Sequence, residues 1–210
     1  MLKRLFDISS AAYGLLLVSP LFAVIAFMVK ADSPGPVFYR ATRIGRNGKP
    51  FRIYKFRTMF VGREKVGGDT TAFNDPRITR VGFFLRKYKI DELPQLINVL
   101  MGEMSIVGPR PELSVYTDRY TPEERVILSV RPGITDYSSI ALRHLDAMVG
   151  ERDADKVFED EILPRKNALR MRYVRTCSFG GDMAILARTL AALFTRPRKR
   201  GLSDGMHGVR

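Results

Sequence analysis

The feature that most constrains this chain is a long uncharged stretch near its N-terminus. Ile8–Val29 contains no charged residue and is mostly apolar. As an α-helix, a stretch of this length would be about 33 Å long, roughly the thickness of a bilayer core. A cleaved signal peptide fits poorly, because the apolar run is too long and Lys30 follows where small residues would mark a cleavage site. The stretch is therefore predicted to be a retained membrane segment.

Two residues near the middle of this stretch predict a kink. Pro20 has no N–H to donate to the carbonyl of Leu16, and its ring crowds the preceding turn. The hydroxyl of Ser19 can satisfy the freed carbonyl where water is absent. Lysines and arginines flank the stretch on both sides. A simple span favours charge asymmetry, whereas a re-entrant helix tolerates cations at both ends, and these residues alone leave both alternatives open.

Composition narrows the class of protein. The net charge of +13 calls for a partner of opposite sign, such as nucleic acid, an anionic membrane face or a phosphorylated substrate. A single cysteine, Cys177, excludes an internal disulfide framework and fits a reducing compartment. With two histidines in addition, the chain has too few ligands for a structural zinc site. The sequence indicates one folded domain with a membrane attachment.

The first part of this domain is predicted to contain a small β-hairpin. Residues 37–59 alternate in part between apolar and polar side chains, and Arg46–Gly48 has the composition of a turn. Residues 60–75 are rich in glycine, aspartate and threonine and predict a loop.

Helices are predicted for most of the remainder. Asp75-Pro76 can open a helix that includes residues 78–88. The apolar spacing after Asp91 predicts a second helix, Asp91–Met101, with Gly102 as its C-cap. Thr121-Pro122-Glu123-Glu124 predicts the start of another helix. Residues 151–176 are predicted to be helical on either side of Pro164. Residues 183–194 fit either a core helix or an interfacial helix.

The carboxylate pair Asp91-Glu92 follows a strongly cationic segment, and Arg110 stands between two prolines. Cations can neutralise a phosphate, and a carboxylate can act as metal ligand, base or nucleophile. A structural interpretation is also available. Acids at a helix N-terminus stabilise the helix dipole, Arg110 can be solvated in a turn, and Lys55 and Arg57 can point outward from a strand.

Several longer motifs, in this order, closely resemble the bacterial sugar transferase family, the monotopic polyprenyl-phosphate phosphoglycosyl transferases. The match extends from Lys3 to Phe194. It includes the Ser19-Pro20 pair, RNGKPFRIYKFRTM (46–59), DPRITRVG (75–82), FLRK (84–87), DELPQLINVLMGEMSIVGPRPE (91–112), VRPGIT (130–135) and LPRKNALRMRYV (163–174).

The resemblance implies an α-rich α+β domain with a small β-hairpin and amphipathic interfacial helices. It implies a membrane helix over residues 1–30, re-entrant and broken at Ser19-Pro20. It further implies a catalytic domain over residues 31–200 on the cytoplasmic face of the bacterial inner membrane, followed by a flexible tail over 201–210. The chain resembles the smallest members of the family, without the extra N-terminal spans of larger relatives.

The resemblance also implies a reaction. Asp91 attacks the sugar-bearing phosphorus of a UDP-sugar, UMP leaves, and a polyprenyl (undecaprenyl) phosphate then takes the sugar phosphate from the aspartate. Glu92 is implied as a partner in Mg²⁺ binding with Asp91 or in proton handling. Lys55, Arg86 and Arg110 match positions that contact phosphate. The product would begin the assembly of a surface glycan.

One segment departs from the family. Many members read GWAQVNGR after RPGIT, whereas this chain reads DYSSIALRHLD over residues 136–146. This departure leaves the sugar open. His144 lies in this segment, but a lone histidine is more often structural or solvated than catalytic.

Two other classes of protein compete with the enzyme. A nucleic-acid-binding protein would explain the charge, yet the chain has no tryptophan to stack on bases, and the apolar stretch would be unexplained. A catalytically silent membrane scaffold would explain the stretch, but Asp91, Glu92 and Arg110 argue against it. The oligomeric state stays open, with a homodimer as one alternative.

Overall fold

A computed structural model describes residues 1–62, 75–142 and 154–194 of the chain. The helices are α1 (Leu2–Asp32), α2 (Arg80–Lys87), α3 (Gln95–Met101), α4 (Ser114–Thr117), α5 (Tyr137–Ala141), α6 (Ala154–Val157), α7 (Leu163–Thr176) and α8 (Phe179–Phe194). The strands are β1 (Phe38–Tyr39), β2 (Thr42–Ile44), β3 (Pro50–Arg52), β4 (Lys55–Phe56), β5 (Ser105–Val107) and β6 (Gly133–Thr135). The helix-rich architecture with small sheets agrees with the predicted fold class.

The long helix α1 continues through Pro20. The predicted break is therefore not an interruption of the helix. The hydroxyl of Ser19 donates to the carbonyl of Leu16 at 2.8 Å, which is the carbonyl that proline leaves without a donor. This contact confirms the role predicted for Ser19 and explains why the helical turns continue.

Most of α1 is exposed between its two ends. Leu16, Leu17 and Phe27 are 73%, 68% and 75% exposed, so this apolar helix is not the core helix of a water-soluble domain. It is long and apolar enough to cross a bilayer. Among the described residues, exposed apolar side chains on α2, including Phe83 and Phe84, add to this surface. The apolar surface agrees with membrane association.

Both ends of α1 are hydrogen-bonded to the rest of the domain. Near the N-terminus, the buried carboxylate of Asp7 accepts from the backbone N–H of Ile106 at 2.9 Å and from the hydroxyl of Ser105 at 3.0 Å. Near the C-terminus, the buried guanidinium of Arg57 donates to the carbonyls of Val29 and Ser33. The interpretation of Arg57 as an outward strand residue is therefore wrong.

The predicted hairpin is confirmed as two short antiparallel pairs. β2 pairs with β3 across the turn Arg46–Gly48, and β1 pairs with β4 so that Tyr39 lies opposite Lys55. A third pair, β5 with β6, is parallel and was not predicted. Two hydrophobic clusters join these strands to the helices. Ala11 of α1 packs with Phe51, Ile53, Val99, Met104, Ile106, Val107, Tyr173 and Ile185, and Ile25 and Val29 of α1 pack with Phe56 and Leu85.

Several predicted helix boundaries shift. α2 begins after Thr79, whose side chain accepts from the N–H of Gly82, and not at Asp75-Pro76. The reason is that the carboxylate of Asp75 is held by the guanidinium of Arg77 in a turn before the helix. The helix predicted from Asp91 begins with a 3₁₀ turn, Ile90–Glu92, and becomes α-helical only at Gln95. Gly102 is confirmed as its C-cap, with φ of 85°.

The predictions for the C-terminal half are confirmed in outline. Thr121 and Glu124 form a reciprocal cap, although the turns that follow, Glu124–Ser129, are 3₁₀. Pro164 lies in the first turn of α7 and ends no helix. Ile185 of α8 is buried in the core, which supports the core interpretation of this helix for one of its faces. His144, the tail over 201–210 and most of the predicted loop lie outside the described residues.

The backbones of β5 and β6 meet closely at two glycines. A Cβ built on Gly133 would lie 2.1 Å from the backbone nitrogen of Gly108. We expect Gly133→Ala to lower the free energy of unfolding by about 1–3 kcal/mol, because neither backbone can swing away. Gly180→Ala is the matched control, since nothing lies within 4 Å of its Cβ, and it should be neutral or slightly stabilising. Thermal unfolding in nanodiscs measures both, and equal melting temperatures would contradict the close approach.

Candidate active site

The sharp turn before α3 places Asp91 and Glu92. Lys89 adopts a left-handed conformation with φ of 57°, which reverses the chain direction after α2. Asp91 follows and is only 7% exposed. Its Oδ1 atom is buried and has no hydrogen-bond partner among the described residues. A buried polar atom without a partner is costly, so this oxygen is a candidate for contact with a ligand.

Glu92 is held by two cations from separate parts of the chain. Its Oε1 accepts from the ammonium of Lys55 at 2.9 Å. The guanidinium of Arg110 grips both oxygens, with a distance of 2.8 Å to Oε2. This two-pronged contact fixes the planes of both groups. The carboxylate of Glu92 therefore joins β4, the turn before α3 and the loop after β5.

The two neighbouring acids have opposite pKa shifts. Burial raises the pKa of Asp91, and the negative charge of Glu92 adds to this effect. Burial alone would also raise the pKa of Glu92, but Arg110 and Lys55 outweigh it and hold that pKa well below its ordinary value. Glu92 therefore stays ionised to a lower pH than Asp91, which takes up a proton more readily. Two adjacent acids with separated pKa values are typical of sites with two distinct roles.

The cations around the pair also differ from one another. Burial lowers the pKa of Lys55, whereas the charge of Glu92 raises the pKa of Arg110. Arg86 lies on the same cavity and lowers the pKa of Asp91 through its charge. Within the described ranges, no carboxylate lies in ion-pair contact with Arg86, so its guanidinium is available to an anionic ligand.

Arg110 is positioned by the packing behind it. Just beyond β5, the N–H of Gly108 donates to the carbonyl of Thr135 at 3.0 Å, and the carbonyl of Pro109 accepts from the N–H of Gly133 at 3.0 Å. Pro109 and Pro111 on either side restrict the backbone. The backbone N–H of Arg110 lies 3.4 Å from the carboxylate of Asp136, which is fully buried. Arg110 is therefore not a solvated turn residue.

The site opens into a cavity of about 1220 Å³. This volume exceeds the roughly 300–1,000 Å³ that is typical of small-molecule sites. Cationic, aromatic and aliphatic side chains all line it, so that it offers both charge and apolar surface. Its lining includes Lys55, Arg86, Asp91, Glu92 and Arg110, together with Phe38, Tyr39, Leu93, Leu96, Leu186 and Leu190.

Asp91 and Glu92 are the carboxylates that could hold a metal ion at this site. No group of three or more His, Cys, Asp or Glu side chains that could hold an ion occurs in the described part of the chain. Mg²⁺ needs less than this, since one or two carboxylates plus substrate phosphates are common ligands. Asp91 fits this requirement because its Oδ1 is unpartnered. Glu92, the other expected ligand, has both oxygens engaged by cations.

The structure thus brings together all five site residues predicted from the sequence, Lys55, Arg86, Asp91, Glu92 and Arg110. Sequence analysis missed a second buried network, in which one oxygen of Glu112 accepts from Lys166 at 2.7 Å and from Arg170 at 2.6 Å. It also missed Asp136. Glu112, Lys166 and Arg170 lie inside the motifs that carry the resemblance, whereas Asp136 is the first residue of the segment that departs from the family.

Comparison with known proteins identifies the family. The profile of the bacterial sugar transferase family matches residues 1–196. The chain belongs to this family. The prediction made from the motifs is confirmed, and it decides for the enzyme family over the alternatives considered above.

Individual relatives cover most of the chain. The UDP-glucose:undecaprenyl-phosphate glucose-1-phosphate transferase of Escherichia coli is 42% identical over 90% of this chain and 39% of its own length. The UDP-N-acetylgalactosamine-undecaprenyl-phosphate N-acetylgalactosaminephosphotransferase of Aeromonas hydrophila is 36% identical over 92% of this chain and 44% of its own. The exopolysaccharide production protein PSS of Rhizobium leguminosarum is 38% identical over 93% of this chain and 96% of its own length. The chain thus spans less than half of two of these relatives.

In this sugar transferase, the first residues of the divergent segment 136–146 form part of the cavity wall. Asp136 caps α5 by accepting from the N–H of Ser139 at 2.7 Å, and Ser138, Ser139 and Ile140 line the cavity. Residues 143–146 of the segment lie outside the described residues. The departure from the family pattern therefore includes residues that line the cavity.

The opposite electrostatic effects at Asp91 can be measured. Glu92→Gln removes a neighbouring negative charge and should lower the pKa of Asp91, whereas Arg86→Gln removes a positive charge and should raise it. The measurement is a pH titration of the ¹³C-labelled aspartate carboxyl signals, with Asp91→Asn to assign the resonance. A higher pKa of Asp91 in Glu92→Gln, or a lower one in Arg86→Gln, would contradict this account of the charges around Asp91.

Proposed function

We propose that this protein transfers a sugar-1-phosphate from a UDP-sugar to a polyprenyl phosphate, releasing UMP, as the first membrane step of surface glycan assembly. The observation that carries the proposal is the buried, unpartnered oxygen of Asp91 beside the Lys55–Glu92–Arg110 cluster in a large cavity. The names of the family relatives support the substrates. The direct test is UMP release from a panel of UDP-sugars incubated with undecaprenyl phosphate, and no release from any of them would refute the proposal.

In the first step, a carboxylate oxygen of Asp91 forms a bond to the sugar-bearing phosphorus. The bond from this phosphorus to the bridging oxygen breaks, and its electron pair leaves with UMP. The raised pKa of Asp91 reflects a poorly solvated carboxylate, which is a stronger nucleophile than one in water. The cations Arg86 and Lys55 favour the ionised form that attacks.

In the second step, a phosphate oxygen of the lipid attacks the same phosphorus. The bond to Asp91 breaks and its carboxylate is regenerated, while the product is a polyprenyl-diphospho-sugar. No net proton transfer is required, because UMP leaves with the charge that the lipid phosphate brings. Glu92 then needs no acid–base role, and its function is to hold Lys55 and Arg110 in fixed positions toward the diphosphate.

Mg²⁺ is a further part of the proposal. When bound, it would offset the charge of the diphosphate and of the departing UMP. Asp91 is the residue best able to hold it, with substrate phosphates as the other ligands. Glu92 could join only by exchanging a contact with Lys55 or Arg110.

We expect UMP release to stop when EDTA removes divalent cations, because arginines alone leave part of the diphosphate charge unbalanced. Added Mg²⁺ should restore the rate, and added Ca²⁺ at the same ionic strength is the control for general screening. Full turnover in EDTA would show that no divalent cation is needed.

The role of Asp91 as nucleophile has its own test. Asp91→Asn should lose nearly all turnover while keeping its melting temperature, since the amide is almost isosteric. Asp118→Asn, an exposed acid away from the cavity, is the matched control and should keep full activity. With labelled UDP-sugar and no lipid, the wild type should retain label on a peptide containing Asp91. Label on Glu92, or kinetics that need both substrates before UMP leaves, would contradict the assignment.

We also propose that α1 is re-entrant and that both its ends lie on the cytoplasmic face. Fully straight, the helix would be about 46 Å long, more than enough to place its ends on opposite sides of a bilayer. Yet Lys3 and Asp7 at one end and Asp32 at the other bond to polar groups of one domain. The kink expected at Pro20 would let the exposed middle enter the bilayer while both ends stay at its surface.

Cysteine labelling in intact cells tests this arrangement. Leu2→Cys, made in a Cys177→Ser background, should be shielded from an impermeant thiol reagent and become reactive once the cells are opened. Native Cys177 is exposed, so the wild-type protein, labelled in parallel, reports the side of the catalytic domain. Labelling of residue 2 from outside the cell, with Cys177 still protected, would establish a true span.

A further inference from the structure

One wall of the cavity is rich in hydroxyl groups. The hydroxyl wall consists of Thr135 at the end of β6, Ser138 and Ser139 on α5, Lys166 on α7 and Thr189 on α8, all of which line the cavity. It stands beside Arg110, because Asp136, between Thr135 and α5, lies near the backbone N–H of Arg110. Asp91 and Glu92 line the same cavity.

The hydrogen bonds within the wall fix which groups are open to a ligand. Thr189 donates its proton to the carbonyl of Ile185 at 2.9 Å. Thr135 must therefore be the donor in its 2.8 Å contact with Thr189, which commits the Thr135 proton as well. Ser139 likewise donates to the carboxylate of Asp136 at 2.8 Å. With these protons committed, each hydroxyl oxygen can act toward a ligand only as an acceptor.

The hydroxyl proton of Ser138 is also committed, whereas Lys166 supplies hydrogen-bond donors. Ser138 donates to Asp136 at 2.8 Å. Lys166 is only 8% exposed, and its ammonium bonds to Glu112, whose same oxygen also accepts from Arg170. A lysine has three N–H donors, so others remain for a ligand in the cavity. The wall thus combines fixed acceptors with one charged donor.

These properties select among the parts of the proposed substrates. A diphosphate needs donors, but the wall's hydroxyl protons are already committed. An isoprenoid chain offers no polar group to any of these atoms. The hydroxyl groups of a sugar ring both donate and accept, and they match acceptors interleaved with an ammonium. We infer that the hydroxyl wall is the subsite for the hexose of the nucleotide-sugar and determines which sugar is accepted; this rests on the proposed function.

The inference also gives the divergent segment a role. Asp136, Ser138 and Ser139 all belong to the part of the chain that departs from the family pattern. They share one network in which the carboxylate of Asp136 orients both serine hydroxyls. A change at Ser138 or Ser139 would therefore alter the acceptor pattern offered to the sugar while leaving Lys55, Glu92 and Arg110 in place.

The test compares ligands with and without the sugar. Binding of UDP-glucose, UDP-galactose and UMP is measured by equilibrium dialysis in nanodiscs, in the Asp91→Asn background so that no turnover consumes the ligand. Adding Ser139→Ala should weaken the better of the two UDP-hexoses by about fivefold to tenfold, because one hydrogen bond to a sugar hydroxyl is lost. UMP should bind within twofold of its original affinity, since it carries no hexose.

Two further variants make the test decisive. Ser114→Ala removes an exposed hydroxyl on α4 and should change no affinity. Lys166→Met should reduce binding of the UDP-hexose but not of UMP, with Lys166→Arg restoring part of it; if Lys166→Met fails to fold, the Ser139→Ala result stands alone.

Three results would overturn the subsite. Equal weakening of UMP and UDP-hexose would place the nucleotide at the wall, and unchanged affinities would remove the wall from binding. A raised KM for undecaprenyl phosphate alone, measured with Ser139→Ala in the active protein, would assign the wall to the acceptor. Failure of the proposed function is distinguished by the absence of UMP release from the wild type, which the dialysis measurements do not require.

Discussion

The whole site depends on one partly buried carboxylate, that of Glu92. It is the shared partner of Lys55 from β4 and of Arg110 from the loop after β5. That loop starts where the backbones of Gly108 and Gly133 approach closely. Loss of either cation would leave the charge of Glu92 balanced by the other alone, which would weaken the hold on both remaining side chains. The charges of Lys55, Glu92 and Arg110 leave one positive unit, which Asp91 balances when it is ionised. Protonation or covalent modification of Asp91 therefore shifts the cluster toward attracting anions.

Local rules in the sequence predicted much of this arrangement. Gly102 ends α3, Arg46–Gly48 turns the hairpin, and Ser19 satisfies the carbonyl freed by Pro20, because each effect depends on neighbours only a few residues away. The five site residues were found through motif resemblance, and their convergence could not follow from spacing alone. Without that resemblance, Asp91 and Glu92 would have been assigned to ordinary helix capping.

What the sequence could not provide are pairings between distant segments. The parallel contact of β5 with β6 depends on Gly108 and Gly133, which are separated by two helices and several turns. Arg57 lies two residues after Lys55 in an alternating stretch, a pattern that allowed both side chains to point outward. Its guanidinium instead donates to the carbonyl of Ser33 at the end of α1. The Glu112–Lys166–Arg170 network joins residues more than fifty positions apart. In each case the partner is determined by tertiary packing, on which local pattern carries no information.

The anchoring of α1 has a consequence for how the protein is made. Its first turns bond to groups that appear late in synthesis, since Lys3 contacts Asp182, 179 positions further along the chain. The apolar helix therefore leaves the ribosome long before its polar partners exist. Chains dominated by such distant contacts fold slowly and expose unpaired surfaces meanwhile. The bilayer can shelter this helix during that interval, so that the membrane holds a segment whose final contacts form only after Asp182 has been made.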